Sequence, residues 1–244
     1  MRALCEVGDE GPRSPIFEDG SWVYVSFPTP DPRPLPGYLA DALPFLRGVG
    51  ANCTHADPRW DDLSYGDDCA NPRARALKNV TTGDILLFWG LLWSNRGRDW
   101  SAFSGERGWY LVGAIRVEEI AIPGQSAQEV SKANRPRASR NAHFVKGAGV
   151  MQPNERVFLG AHRYSQRFQR AVDLEVTGPS GLIYKAFTSS EGVLLAHDRK
   201  PSWRSSLRSC RKIWDLREPG ARARAHIARE AIVACTGFDF LEDL

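Results

Sequence analysis

The chain lacks the marks of membrane proteins, secreted disulfide-rich proteins and ribbon-type zinc proteins. No apolar run among its 244 residues approaches the roughly 20 residues that span a bilayer, and the N-terminus has no basic segment followed by a signal-type apolar core. The five cysteines are odd in number and form no Cys-x-x-Cys pair, so neither a disulfide framework nor a ribbon-type zinc site is indicated. These absences predict reduced thiols, a cytoplasmic location and no membrane partner.

Several well-known catalytic motifs are also missing. The sequence contains no Gly-x-Gly-x-x-Gly, no Walker-type lysine loop, no nucleophile elbow and no internal repeat. Hydride transfer, kinase chemistry and hydrolysis from a nucleophile elbow therefore lose their usual support, and no pattern indicates a particular cofactor.

What is present is enough apolar side chain for a substantial core. The composition is 42% hydrophobic and 10% aromatic, with a net charge of +3. Many short strand signals and few long helical ones predict an α+β fold with a mixed, partly closed β-sheet or barrel. We expect one domain over residues 1–244, with a central strand pair in 77–120 and a basic, partly helical elaboration in 190–244.

The strongest strand signals lie within residues 77–120. After Gly83 and Asp84 comes the apolar run 85–93, and a second apolar run spans 109–120 beyond an Arg-, Gly- and Ser-rich loop. Both runs are rich in aromatic and β-branched residues, and both are too short and too interrupted by glycine for a buried helix. They are predicted to be two core strands.

Other segments give weaker signals. Strands are predicted at 2–7, 22–27, 141–145 and 155–163, and a hairpin at 168–176 and 181–187 with its turn at 177–180. Helices are predicted at 37–48, from Asn71 to Leu77, and at 221–235 with its end at Gly237. The Arg- and Lys-rich residues 132–140 are predicted to form a mobile loop over a site.

Residues 11–20 form a candidate site loop. Two prolines stiffen its first half, and Asp19 with Gly20 predicts a tight reversal in the second. Such a loop can present Arg13, Ser14 and Asp19 at fixed positions. The alternative is a rigid hairpin connection that holds no ligand.

Residues 52–58 carry a second candidate set. If this stretch is extended, Cys53, His55 and Asp57 point to one face, where they could bind a metal or form an acid/base set with a nucleophile. A structural zinc would need a further ligand, for which Cys69, His143 and His162 are the obvious candidates. The favoured alternative is a buried cysteine with His55 and Asp57 hydrogen-bonded to nearby backbone, and no metal site is predicted.

Most of the excess positive charge lies in residues 199–229. Only Asp215 and Glu218 oppose it there, and Trp203 and Trp214 are interleaved with the basic residues. This combination suits phosphate contact with base or sugar stacking. The candidate nucleic-acid contacts are Arg204, Arg208, Arg211 and Lys212. A solvated, Arg-rich helix face is an equally good interpretation.

Two family resemblances follow from these motifs. Residues 77–120 resemble the core of PUA-like domains of the ASCH and EVE kind, small β-barrels that hold nucleic acid or a modified base. The more specific resemblance is to the third nucleotide-modification-associated domain family, found beside DNA-base hypermodification enzymes. Its matching elements are Ser14 to Phe17, Asp19-Gly20, Pro28, His55 with Asp57-Pro58, Gly83-Asp84, Leu86 to Trp89, Gly113, and Asn141 with His143.

The resemblance implies work on a nucleotide or on a base in nucleic acid, with DNA favoured over RNA and other base-modification enzymes as possible partners. The first hypothesis is an enzyme that acts by group transfer on a nucleotide or a flipped base. Its candidate catalytic residues are His55, Asp57, Ser14, Asp19 and His143. Its candidate substrate-binding residues are Arg13, Trp89, Trp93, Trp109, Asn141 and Arg163, with the three tryptophans stacking on the base.

Two other hypotheses compete with it. The chain could be a non-catalytic reader that recognises a modified base through a PUA-like pocket and holds phosphates with its basic segment. Such a reader needs aromatic and basic residues but no acid/base set. The chain could also be a small-molecule enzyme unrelated to nucleic acid, for which the modest net charge is the only argument.

Overall fold

A computed structural model of the chain describes residues 14–23, 58–71, 74–98, 102–173, 177–178, 181–182 and 215–242. The predicted strand at 2–7, the predicted helix at 37–48 and the basic residues 199–214 lie outside these residues. So do residues 24–27 and 183–187, which belong to two further predicted strands.

The predicted central strand pair is confirmed. Strand β3 (Ile85–Asn95) and strand β4 (Phe103–Ala121) pair antiparallel, from Ile85 opposite Arg116 to Asn95 opposite Phe103. Both strands extend into the segment predicted as a loop. The polar residues there are compatible with a strand because the ladder joins backbone groups, and a hairpin beyond the core can expose its side chains.

The sheet has six strands of mixed pairing. The strand order is β1 (Ser14–Ile16), β3, β4, β5 (Glu155–Gly160), β2 (Ser64–Asp68), and β6 (Gln166–Asp173) pairs with β4 beside this path. Strand β1 runs parallel to β3, and the other pairs are antiparallel. The α+β class and the mixed sheet are thus confirmed. Within the described residues, β1 and β2 end the strand order, so this part of the chain does not close into a PUA-like barrel.

Side chains of the central strands alternate between two cores. Leu87, Trp89 and Leu91 of β3 pack toward a cluster that contains Trp109, Leu111, Phe168 and Val172. Leu86, Phe88 and Leu92 face a second cluster that contains Trp22, Trp60, Ile115 and Phe158. This period of two is the signature of a strand whose two faces are both buried.

The C-terminal helix covers the first core. Helix α3 (Pro219–Thr236) buries Ala221, Ala225, Ala228 and Ile232, as the Ala-rich spacing predicts. It ends at Gly237, whose φ of 72° is the left-handed conformation that glycine adopts at least cost. A further small pair of strands joins β7 (Thr177–Gly178) to β8 (Gly181–Leu182), so the first two residues of the predicted turn at 177–180 belong to a strand.

Two predictions of local structure are wrong. Residues 132–140, predicted as a mobile loop, contain helix α1 (Arg135–Arg140) with Arg137 and Ala138 buried. Residues 141–145, predicted as a strand, belong to helix α2 (Ala142–Lys146), which begins because the Asn141 side chain accepts a hydrogen bond from the His143 amide at 3.0 Å. A cap residue and four or five following residues give too short a pattern to separate helix from strand.

Other differences are smaller. The helix predicted from Asn71 is a 3₁₀ helix, Arg75–Asn79, and the strand predicted at 155–163 ends at Gly160 before a 3₁₀ turn, His162–Tyr164. No helix within the described ranges is long and apolar enough to cross a membrane.

Candidate functional site

The segment after β1 forms a tight turn that is anchored on both sides. The Phe17 amide donates to the Ser21 carbonyl and the Gly20 amide to the Phe17 carbonyl, both at 2.9 Å, and Gly20 has a φ of 79°. Beyond the turn, the Trp22 indole N–H donates to the Phe168 carbonyl at 2.8 Å. The turn of residues 17–22 is therefore held on both sides. It follows β1, which pairs with β3, and Trp22 is hydrogen-bonded to Phe168 of β6.

Asp19 locks this turn. One carboxylate oxygen accepts from the Ser21 amide at 2.9 Å and from the Ser21 hydroxyl at 2.5 Å, and the other accepts from Arg98 at 2.8 Å. The Arg98 guanidinium lies 4.7 Å from the centre of the Phe17 ring. Hydrogen bonds from Ser21, together with Arg98, hold the pKa of Asp19 below its ordinary value. Asp19 is thus an ionised acceptor at neutral pH.

A small cleft of about 220 Å³ opens between the turn and the adjoining ends of β3 and β4. It is lined by Ile16, Phe17, Glu18, Ser94, Glu106, Arg107 and Tyr110. Its volume is below the roughly 300–1,000 Å³ of sites for drug-sized ligands, so it suits a planar ring better than a large cofactor.

The lining offers three kinds of contact to such a ring. Ile16 and Phe17 give an apolar wall, and Tyr110 adds an aromatic ring with a hydroxyl. Glu18 and Glu106 supply carboxylates that accept hydrogen bonds, and Arg107 supplies donors. The Arg107 guanidinium lies 4.8 Å from the centre of the Trp93 ring, which restricts where it can point.

The structure brings three of the predicted site residues together around this turn. Ser14 is buried at the start of β1 opposite Leu92, and Trp93 lies opposite Pro15 in the next register position. Asp19 is at the tip of the turn. Trp89 and Trp109, in contrast, pack toward the core beneath α3, where Trp109 is only 4% exposed.

Asn141 and His143 belong to a different, buried polar group. The Asn141 amide donates to the Ser64 hydroxyl at 3.1 Å, and His143 Nδ1 lies 3.2 Å from Glu155 Oε1. Lys146 Nζ reaches the same carboxylate oxygen at 3.1 Å. The His143 ring lies directly over Gly66 of β2. This group is held by β2 and β5, whereas Ser14 is held by β1 at the other end of the strand order.

Arg163 lies at the surface after β5. Its guanidinium lies 5.0 Å from the centre of the Tyr164 ring and comes within 3.6 Å of Glu242. The Arg116 guanidinium lies 4.6 Å from the centre of the same ring.

The remaining predicted site residues lie outside the described residues: Arg13, His55, Asp57, Arg204, Arg208, Arg211 and Lys212. Within the described ranges, no three His, Cys, Asp or Glu side chains are grouped so that they could hold a metal ion.

Sequence reasoning missed a cluster of charged side chains around the buried Asp62. The Asp62 side chain, 4% exposed, accepts hydrogen bonds from Arg59 and Arg140. The buried Arg137 donates to the Gly160 carbonyl at 2.7 Å and to Glu118 at 3.1 Å. Burial disfavours the charged form of Asp62, but Arg140 and Arg59 outweigh it and lower the pKa of this carboxyl. The cluster fastens residues 59–62 to α1.

Comparison with known proteins identifies a family. The family model described as nucleotide modification associated domain 3 matches residues 6–219, which is most of the chain. Searches of curated proteins and of solved structures return no match. The matched range contains the β1 turn, the central strand pair and the buried group around His143, and on that extent the chain belongs to the nucleotide modification associated domain 3 family.

Proposed function

We propose that the chain takes part in the modification of a nucleotide, or of a base in nucleic acid, and that the cleft beside the β1 turn holds the base. Membership of the family carries the first part of this proposal. The cleft supports the second part, because Ile16, Phe17 and Glu18 line it and come from the turn that carries the family resemblance.

The chemistry we propose is group transfer to the bound base or nucleotide. Phe17 and Tyr110 would contact the ring, and Glu18 and Glu106 would accept from its N–H groups. His55 and Asp57 are proposed to move protons, since a neighbouring imidazole and carboxylate form the usual acid/base pair at neutral pH. Ser14 and Asp19 are proposed to hold the turn in position.

The wider parts of the proposal rest on sequence. DNA is proposed in preference to RNA, and other base-modification enzymes are proposed as partners. Arg204, Arg208, Arg211 and Lys212 are proposed to contact phosphates. We also propose that the β3–β4 pair, with its PUA-like sequence pattern, forms the wall of the base site.

The test separates catalysis from binding. The wild-type protein is incubated with unmodified and with hydroxymethylated nucleic acid and candidate group donors, and the digested products are measured by mass spectrometry. His55→Ala and Asp57→Ala should abolish product while oligonucleotide binding stays close to that of the wild type. Asp215→Asn, which removes a carboxylate from the segment before α3, is the control and should keep both.

A different result would identify a reader. If no turnover is found on any substrate, and the His55 and Asp57 variants lose binding in parallel, catalysis is excluded and recognition of a base remains. Tyr110→Ala should weaken binding under either function, because Tyr110 lines the cleft. Unchanged binding by that variant would remove the cleft from the proposal.

A further inference from the structure

We infer that the site beside the β1 turn accepts a nucleotide within a strand rather than a free nucleotide, and that Arg167 and Arg170 hold the neighbouring phosphate. This inference rests on the proposed function, because it assumes that the cleft holds a base. It adds the class of substrate and two residues outside the cleft.

The charges of the cleft favour a base over a phosphate group. Its lining carries two carboxylates, Glu18 and Glu106, against the single guanidinium of Arg107. Arg96 comes within 3.6 Å of Glu106, but both side chains of that pair are mostly exposed, so solvent screens the pair. A free di- or triphosphate would bring several negative charges beside the carboxylates, whereas the N–H edge of a base would donate to them. The phosphates must therefore lie outside the cleft.

Residues 20–22 of the same turn contact two arginines of β6. Ser21 forms an antiparallel β-bridge with Arg170 of β6. The Arg170 side chain lies over Gly20, and its Nε is 3.2 Å from the position that a Cβ of residue 20 would occupy. Arg167 lies 4.2 Å from the centre of the Trp22 ring and donates to the Trp22 carbonyl at 2.6 Å. Both arginines are at the exposed surface.

These contacts suit the recognition of a phosphodiester. Stacking on Trp22 fixes the plane of the Arg167 guanidinium, which lowers the entropy lost when this group contacts phosphate. Arg170 is held across the backbone of the turn. A phosphate placed between these two groups would be contacted by oriented donors, which is how proteins set the position of a strand without reading its sequence.

The cleft and the two arginines adjoin the same turn. Phe17 faces the cleft and its amide bonds to the Ser21 carbonyl at 2.9 Å, so the base contacts and the phosphate contacts belong to one rigid turn. Glycine at position 20 suits this turn for two reasons. Its φ of 79° is a conformation that other residues rarely adopt, and the absence of a Cβ leaves space for the Arg170 side chain. A base in the cleft would then have the backbone of its strand beside β6.

The test compares a labelled single-stranded oligonucleotide with a nucleoside monophosphate. Binding of both to the full chain is measured over a range of salt concentrations, for the wild type and for the Arg167→Gln/Arg170→Gln double variant. A matched control, Lys78→Gln/Lys132→Gln, removes two exposed positive charges from the 3₁₀ helix Arg75–Asn79 and from the segment before α1. Thermal unfolding of each variant checks that the fold is kept.

We expect the wild type to bind the oligonucleotide more tightly than the monophosphate. The Arg167/Arg170 variant should bind the oligonucleotide on the order of tenfold more weakly, with its salt slope reduced by about 0.7 for the one phosphate contact that is lost. Its binding of the monophosphate should not change, and the control should resemble the wild type. If Arg167/Arg170 replacement weakens folding, Arg167→Lys, which keeps the charge but not the planar group, should still lower oligonucleotide binding.

Three outcomes overturn the inference in different ways. If the monophosphate binds as tightly as the oligonucleotide and Tyr110→Ala weakens that binding, the proposed function stands and the substrate class is wrong. If the wild type binds neither ligand, the proposed function falls together with the inference. An oligonucleotide affinity that is equal in the double variant and the control would remove Arg167 and Arg170 from the site.

Discussion

At the scale of single residues, glycines mark the places where a large side chain meets a strand. A Cβ on Gly113 would overlap the Trp60 ring, and one on Gly66 would overlap the His143 imidazole. Both glycines are within strands, and glycine weakens a strand interior. The close approach of the Trp60 and His143 rings therefore explains why glycine stands at these positions. The family resemblance included Gly113 and His143, and the structure gives each a packing partner.

Gly66→Ala should destabilise the protein by about 1–3 kcal/mol, because the new methyl group must displace the His143 ring from a packed interior. Urea unfolding measures the change. In a His143→Ala background the same substitution should cost much less, since the overlapping ring is gone. Gly90→Ala is the control, as a Cβ there finds its nearest atoms at 3.8 Å. Equal costs of Gly66→Ala with and without His143 would show that this contact does not limit the site.

Asp62 predicts how stability changes in acid. Its pKa is lower in the folded protein than its ordinary value of 3.8, because Arg140 and Arg59 outweigh the effect of burial. The unfolded chain therefore takes up more protons as the pH falls, so the stability from Asp62 is present at neutral pH and is lost below about pH 4. Asp62→Asn should cost about 1–3 kcal/mol at pH 7, because it weakens the hydrogen bonds that Arg140 and Arg59 donate to a buried carboxylate.

The check is urea unfolding of the wild type and Asp62→Asn from pH 7 to pH 3. The difference in free energy of unfolding should be largest at neutral pH and shrink as the pH falls below 4. Asp61→Asn, at the exposed neighbouring position, should show a much smaller difference. A difference between wild type and Asp62→Asn that stays constant with pH would mean that the carboxylate charge does not matter there.

Residue-scale reasoning from sequence reached some of these features and not others. The Asp19-Gly20 reversal could be predicted because a tight turn depends on a few adjacent residues. The Asp62 cluster could not, since Asp62 and Arg140 are far apart in the chain and meet only through tertiary structure. Charged residues in sequence are ordinarily exposed, so nothing local distinguishes Asp62 from Asp61.

At the scale of secondary-structure elements, the length of the apolar pattern determines whether a strand or helix can be predicted from the sequence. Strands β3 and β4 and helix α3 carry long apolar periods, and all three were predicted. Helices α1 and α2 are six and five residues long, too short for a helical period to be distinguished from a loop or a strand. Part of the candidate site follows the same rule, because the sequence predicts the reversal at Asp19-Gly20 but does not indicate that β6 packs against it.

The arrangement of elements also separates two groups that the sequence grouped together. Ser14 and His143 were both candidates for catalysis, but β1 and β2 are the two ends of the strand order. Strand order depends on contacts between distant segments, which a single sequence does not display. The tryptophans show the same limit: Trp93 lies by the β1 turn, and Trp89 and Trp109 face the core under α3.

At the scale of the whole molecule, the sheet needs a cover on each face. The second core lies on the face that buries Trp22, Trp60 and Phe158. The first core lies under α3, whose Ala228 and Ile232 are fully buried against it. The family match ends at residue 219, where α3 begins, so an element outside the matched range completes the core of the matched domain.

A chain shortened to residues 1–218 should therefore fail to fold cooperatively. Loss of α3 exposes the face with Leu111, Phe168 and Val172, and replacing Ile232 alone by alanine should cost about 2–5 kcal/mol. A typical domain has only about 5–15 kcal/mol of stability, so removal of the whole helix exceeds what it can lose. Circular dichroism during thermal unfolding would measure the loss of cooperativity, and binding of a hydrophobic dye would measure the exposure of the apolar face.

Residues 1–242, which keep α3 and Phe240, should unfold as the full chain does. Cooperative unfolding of residues 1–218 at the midpoint of the full chain would show that the matched range is a complete domain and that α3 only covers it.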